Sequence, residues 1–442
     1  MMVAMSKIRD LLDRIQLFSV RDMAWQYVAN FGVAIFGALF ILAAGRLLGP
    51  TDFGVYAIAA AVPTVVNALL DYRIQEVSIV VLSERAAAAT KARRNIRSMF
   101  LFDALTRVVA FVISVPIGVM VLKSMSFDVP AVVPLCAALA VFCAKAGNGV
   151  AVGLMRLSGN IHNYAILQSL DWGIRLLALA ALYFWNMVDI EAAFAIQVLP
   201  ALLVNLIILY IARRIALRSY GESSNDRWRP THLRRFYASK SRLLLSSQSI
   251  SATDSVVKEL DTLICGIFLT AHNVAIYKIA KSIATISWKF VDPIFIVILP
   301  NIASYISDRK LAELSEILRK STLYLAAISI VMFLFVCGMA YPFTNFFLGT
   351  EYEDVPLLVP FISIWIVAAL PFVWTHSVAI ASGNAALQAI SGWAAAILGV
   401  IAILIGAASW SVYGAAIGLS VAYAAPFVIS CYLLISKKVV QW

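Results

Sequence analysis

Twelve apolar stretches, each about 20 residues long, follow one another along the chain and restrict it to one kind of fold. In a bilayer every backbone N–H and C=O must find its partner within the protein, so stretches of this length cross as α-helices. They cover residues 26–45, 53–71, 99–121, 132–155, 164–185, 191–211, 243–267, 275–303, 321–340, 357–381, 386–407 and 412–435. With 62% hydrophobic and only 13% charged residues, the chain reads as an all-α polytopic membrane protein. Ahead of the first stretch, Lys7 to Arg21 alternates charge with Leu and Ile at helical spacing, as an interfacial helix does and a cleavable leader does not.

The basic residues orient these spans. Of 35 Lys and Arg, all but ten fall near the N-terminus, at 85–97, at Arg156, within 213–242 and 309–320, and at Lys437 and Lys438. Two, Arg46 and Lys123, fall on the opposite side. Positive charge stays cytoplasmic, so both termini are expected there. The other eight are Arg73, Arg107, Lys145, Arg175, Lys258, Lys278, Lys281 and Lys289, all inside expected spans. A charge at mid-bilayer costs on the order of 3 kcal/mol on insertion scales, so such residues are paired, reach the interface, or line a polar cavity. A cavity rich in Lys and Arg suits an anion.

A faint internal repeat divides the chain. Leu48 to Val62 aligns with Leu269 to Ile283, matching Tyr56 to Tyr277 and Ala59 to Ala280, and further on Asp71 to Asp292. Two six-helix pseudo-repeat lobes around a central cavity are expected, a common plan for secondary transporters. The expected divisions are a cytoplasmic amphipathic segment (1–25), an N-lobe (26–211), a basic cytoplasmic linker (212–242), a C-lobe (243–436) and a tail (437–442). A basic linker between two membrane halves reads as an orientation determinant and a contact for anionic lipid headgroups, not for nucleic acid.

Helical spacing gathers the charges into faces. In the eighth span Lys278, Lys281, Ser282, Thr285, Lys289 and Asp292 share a stripe about 100° wide, and Pro293 suggests a kink. Lys281 has no acid one turn away on its own helix, which makes it the sharpest candidate of this face. In the seventh span Ser247, Ser251, Asp254, Lys258 and Asp261 share a face, with Asp254 and Lys258 spaced as an i,i+4 pair. Glu259 points elsewhere and needs another partner. Asp103 and Arg107, and Asp171 and Arg175, repeat the acid-to-base i,i+4 spacing. Lys145 lies near mid-span among small residues, with no acid one turn away. The expected anion-binding residues are therefore Arg107, Lys145, Arg175, Lys258, Lys281 and Lys289, with Asp103, Asp171, Asp254, Asp261 and Asp292 as charge-pair or coupling partners. Structural ion-pair seams are the competing reading for each pair.

Other chemistry is weakly signalled. Five cysteines lie in apolar spans, four histidines show no metal-ligand spacing, and no catalytic constellation is present, so neither a metal, a cofactor nor an enzyme is expected. A membrane-bound polymerase or acyltransferase would show catalytic residues on a sizeable loop.

The run Arg46-Leu47-Leu48-Gly49-Pro50, followed by Asp52-Phe53-Gly54-Val55-Tyr56-Ala57-Ile58-Ala59, resembles the first-to-second-helix signature of the polysaccharide transporter, or oligosaccharide flippase, family. That family includes the Wzx-like O-antigen flippases of the multidrug/oligosaccharidyl-lipid/polysaccharide exporter superfamily. Leu260 to Ile264, Ala275 to Tyr277, Leu299-Pro300 and Gly153 to Arg156 add to the resemblance, which covers nearly the whole chain. One departure is Asp71-Tyr72-Arg73-Ile74, where Arg73 replaces a glycine usual in the family. The resemblance implies a transporter that flips a polyprenyl-pyrophosphate-linked oligosaccharide to the outer leaflet for surface polysaccharide assembly. It also implies partners among polysaccharide polymerases and glycosyltransferases. A multidrug exporter of the same superfamily is the alternative, and would show deep acids without matching bases.

Overall fold

The computed structural model describes residues 20–83, 89–125, 127, 129–221, 230–287, 302, 305, 306, 308, 310–382 and 385–437. Among these residues the fold is all helix. In chain order the helices are α1 (Val20–Leu69), α2 (Ile74–Ser83), α3 (Ala89–Ser124), α4 (Val132–Lys145), α5 (Asn148–Leu157), α6 (Ile161–Phe184) and α7 (Ile190–Tyr220). There follow α8 (Pro230–Phe268), α9 (Ala271–Ile286), α10 (Leu311–Phe347), α11 (Val355–Ala369), α12 (Trp374–Ala381) and α13 (Ala385–Ser436).

Eight segments among the described residues are long and apolar enough to cross a membrane. Two of them, Phe31–Leu82 and Leu387–Ser436, contain 52 and 50 residues, more than twice the number one crossing needs. Each joins two helices across a kink. In α1 the kink is Gly49 at φ 74°, a left-handed position that glycine takes without a Cβ clash, and Pro50 restarts the helix with its φ already helical. In α13 it is Trp410 and Ser411, with Ser411 at φ 54°. The expected seventh and eighth crossings are α8, whose deep charges lower its hydropathy, and α9, 16 residues long. The remainder of the eighth span, with Lys289, Asp292 and Pro293, lies outside the described residues. So do residues 1–19, most of the expected amphipathic segment. The expected linker 212–242 is largely helical: α7 runs on to Tyr220 and α8 starts at Pro230.

Caps fix several boundaries. The Asp189 side chain accepts from the Ala192 N–H at 2.7 Å to start α7, and Thr270 accepts from the Asn273 N–H at 3.3 Å to start α9. Arg73, in place of the family's glycine, keeps the left-handed turn at φ 45°. Asp71 Oδ1 supports that turn by accepting the Arg73 backbone N–H at 3.0 Å.

The cores are distributed unevenly. At the end holding Gly49, Thr270 and Leu348, a single core joins both halves, with Phe40, Phe53 and Ile58 packed among Tyr277, Ile279, Trp365 and Ile403. At the opposite end the halves have separate cores. One gathers Ile74, Met99, Met155 and Ile208 with Phe236 and Leu244 at the start of α8; the other gathers Leu314, Leu318, Trp374 and Leu434. Backbones meet closely where the cores merge: a Cβ on Gly54 would come within 1.9 Å of the Ala271 carbonyl oxygen. Two side chains bridge the halves nearby: Tyr352 Oη donates to the Gly45 carbonyl at 2.7 Å, and Arg46 Nη1 donates to the Phe347 carbonyl at 3.3 Å and the Phe346 carbonyl at 3.4 Å.

Candidate functional site

A cavity of about 420 Å³ lies between the halves, sealed at one end by that shared core. Its walls carry six charged residues: Asp71, Arg107, Lys145, Arg175, Glu259 and Lys278. Asp71 lies in the turn after α1; Arg107, Lys145, Arg175, Glu259 and Lys278 come from α3, α4, α6, α8 and α9 in that order.

Lys145 owes its place to a broken helix. The fourth span is interrupted after Lys145 at Ala146 and Gly147, the latter at φ 72°, and α5 resumes the crossing. A Cβ on Gly147 would approach Leu209 to 3.1 Å, so both conformation and space favour glycine there. The break leaves polar backbone at depth, and side chains satisfy it. Asn205 Nδ2 donates to the Ala146 carbonyl at 2.9 Å, and Asp103 Oδ2 accepts the Gly149 N–H at 3.2 Å. Lys145 thus ends one half-helix, where the backbone dipole favours a cation, and Asp103 faces the start of the next, where it favours an anion.

Arg107 is the hub of the charged end. Its Nη2 donates to Asp71 Oδ1 at 2.9 Å and its Nη1 to Asn67 Oδ1 at 2.9 Å. Its Nε lies 3.4 Å from Asp103 Oδ1, but the alignment is poor: both atoms are buried without a hydrogen bond. One guanidinium therefore serves two carboxylates imperfectly. Lys145 supplies the balancing charge. Its side chain is exposed to the cavity and, among the described residues, makes no ion pair or side-chain hydrogen bond.

Asp171 and Arg175 form the expected pair. Arg175 binds Asp171 at 2.6 Å through Nη2 and at 3.0 Å through Nε, and its guanidinium lies 4.8 Å from the Trp172 ring centre. Glu259 finds its partner in Lys278 at 3.2 Å, on the cavity wall.

Lys281 is placed differently from the expectation. It does not line the cavity. It is buried between helices, with its Nζ 2.8 and 2.9 Å from the two oxygens of Asp261, which also accepts from Tyr277 Oη at 2.6 Å. The helical stripe measured angles on one helix and could not see that Asp261, on α8, faces it. The side chains of Asp254 and Lys258 lie outside the described residues, as do Lys289 and Asp292. Arg73 lies in the turn before α2 and pairs with Glu76 at 3.2 Å.

Reasoning from charge overlooked the uncharged polar lining. Toward the sealed end the cavity is walled by Phe40, Phe53, Tyr56, Trp172, Phe194 and Gln197. The Tyr56 ring stacks between Phe53 (5.7 Å) and Phe194 (4.5 Å), and Gln197 Nε2 donates to its hydroxyl at 2.8 Å. Asn67 and Gln197, amides inside apolar spans, were the available signal. Among the described residues no group of three His, Cys, Asp or Glu side chains could hold a metal ion.

Comparison with known proteins gives the fold a context. A family described as "Polysaccharide biosynthesis protein" matches residues 41–356. The lipid II flippase MurJ, in an inward closed conformation, superposes with TM-score 0.70 at 14% identity, covering 93% of this chain and 87% of that one. An inward-facing multidrug resistance MATE family transporter of the MOP superfamily gives TM-score 0.65 at 16% identity, covering 94% of both chains. A Vibrio cholerae MATE transporter gives 0.60 at 13% identity, covering 95% of this chain and 97% of that one. At these identities the likeness concerns the fold. No curated protein matches in sequence.

Proposed function

The chain belongs to the polysaccharide biosynthesis protein family, and on that premise we propose that it flips an anionic, polyprenyl-pyrophosphate-linked oligosaccharide across the membrane for surface polysaccharide assembly. The observation that carries the reading is the charge pairing of the cavity. Among the described residues four acids, Asp71, Asp103, Asp171 and Glu259, and four bases, Arg107, Lys145, Arg175 and Lys278, stand on its wall or just behind it. Lys145 is the one base among them that makes no ion pair or side-chain hydrogen bond, because Asp71 and Asp103 both turn to Arg107. A ligand entering this space meets one ammonium group with its hydrogen bonds still to give, while every acid there lies against a base. That favours a phosphate over the cationic drugs expected of a multidrug exporter.

The twelve crossings form two lobes with the cavity between them, and both termini face the cytoplasm. In that orientation the shared core closes the outer side, and the separate inner cores leave the cytoplasmic side free to admit substrate. Pyrophosphate binds Lys145 and competes with Asp71 for Arg107. The lipid tail stays in the bilayer. Alternating access then requires the Gly54–Ala271 contact and the Arg46 and Tyr352 bonds to part. Moving a charge of about −2 outward against an interior about 100 mV negative is favourable by roughly 4.6 kcal/mol, so the membrane potential can drive export.

Mass spectrometry of polyprenyl-linked glycans from a strain lacking this gene tests the reading. Accumulation of one lipid-linked oligosaccharide, reversed by the wild-type gene but not by Lys145→Ala, is expected. No accumulation, together with altered sensitivity to cationic drugs, would move the protein to the multidrug branch.

A further inference from the structure

The charged end of the cavity accounts for a pyrophosphate; the aromatic end remains without a role. Tyr56 and Gln197 are both more than nine-tenths buried, yet both line the cavity. Gln197 spends its two N–H groups on Tyr56 Oη at 2.8 Å and on the Ala193 carbonyl at 3.0 Å. Among the described residues its Oε1 receives no donor, and the Tyr56 hydroxyl proton has no acceptor. Gln197 Oε1 is not sealed off from the cavity, so a bound group can complete it together with the Tyr56 hydroxyl proton. A group that completes both must accept one hydrogen bond and donate another, as a hydroxyl does. Trp172 and Phe40 lie on the same wall, with ring centres 5.9 Å apart, and offer apolar surface to the C–H face of a sugar ring. The charge beside them, Arg175 against the Trp172 ring, is already paired with Asp171 at 2.6 Å, so the subsite suits a neutral ring.

We infer that Tyr56 and Gln197 form a sugar subsite that recognises a hydroxyl of a neutral glycan residue while the pyrophosphate is held at Lys145 and Arg107. The inference rests on the flippase reading and adds which part of the substrate is read, and by which residues. Spacing along α1 sets which sugar it is. Tyr56 and Asn67 lie on one helix, about 16 Å apart along its axis, and Arg107 is held at Asn67. That separation exceeds a pyrophosphate with one ring, so the subsite takes a sugar beyond the first. The Tyr56 hydroxyl is preorganised, because stacking between Phe53 and Phe194 fixes its ring.

The test measures binding of two probes to the full-length protein in nanodiscs: polyprenyl pyrophosphate, and the same lipid carrying a neutral trisaccharide. Tyr56→Phe keeps the stacked ring and removes only the hydroxyl; Gln197→Leu removes the acceptor. Each is expected to weaken the trisaccharide probe about tenfold and leave the bare pyrophosphate unchanged, whereas Lys145→Ala weakens both. If Tyr56→Phe and Gln197→Leu bind the trisaccharide probe as the wild type does, the pair holds only water and the subsite is refuted. If Lys145→Ala leaves both probes unaffected, the phosphate reading fails instead, and the Tyr56 arm still reports on the sugar.

Discussion

The buried contact between Lys281 and Asp261 makes a quantitative prediction that separates structural from ligand-binding charge. The two side chains are 7% and 0% exposed and meet at 2.8 Å, and Asp261 also accepts from Tyr277 and Thr262. Removing one partner of such a pair strands the other charge away from water, a loss of about 3–5 kcal/mol. Replacing both with apolar groups of similar size removes both desolvation penalties and is close to neutral. Lys281→Met and Asp261→Leu are therefore each expected to lower the unfolding free energy by about 3–5 kcal/mol. The double variant is expected to recover most of that loss, falling short of the wild type by about 1–3 kcal/mol because the buried Tyr277 hydroxyl loses its acceptor, which still leaves a coupling energy of several kcal/mol in the cycle. The Glu316–Lys320 pair serves as a control: it is as short, at 2.7 Å, but its side chains are 67% and 68% exposed, so Glu316→Gln should leave stability unchanged. Denaturant unfolding in detergent, scored with flipping by the double variant, reads the result. If Lys281→Met is as stable as the wild type but no longer binds pyrophosphate, Lys281 belongs to the cavity and the placement is wrong.

Three further outcomes follow from the geometry. Asp71→Asn keeps an acceptor for Arg107 but removes the competing negative charge, and should tighten inorganic pyrophosphate binding about tenfold, measured by calorimetry. Gly147→Ala forces a Cβ into a left-handed position against Leu209 and should lower stability by about 1–2 kcal/mol in the same unfolding assay. Arg46→Ala combined with Tyr352→Phe removes three hydrogen bonds that join the halves at the sealed end. A single cysteine at Ala60, in a cysteine-free background, should then react faster with an impermeant thiol reagent added outside.

Local patterns carried much of this architecture. The gap between the expected spans 26–45 and 53–71 falls where α1 kinks, at Gly49, and the i,i+4 spacing of Asp171 and Arg175 predicted a pair that forms. The repeat between Tyr56 and Tyr277 predicted neither residue's partner: one meets Gln197 and the other Asp261. The limit is physical. Periodicity fixes which residues share a face of one helix, but not which neighbouring helix that face meets. Lys281 looked unpaired because its acid is on another helix, and Glu259 looked misplaced until α9 brought Lys278 to it. Asp71 was legible as part of a turn; its grip on Arg107 depends on how α1 and α3 pack. Lys145 was legible because small residues surround it on its own helix, although the break that ends α4 there lies in the conformation of Gly147.

Translocation itself tests the central claim most directly. The purified protein would be reconstituted in vesicles bearing a fluorescent polyprenyl-pyrophosphate-linked oligosaccharide, with protection from an external quencher recorded over time. The wild type and the Lys281→Met/Asp261→Leu double variant are predicted to move the lipid between leaflets, and Lys145→Ala to fail. Equal flipping by Lys145→Ala, or none by the wild type, would contradict an anion-binding cavity built around Lys145.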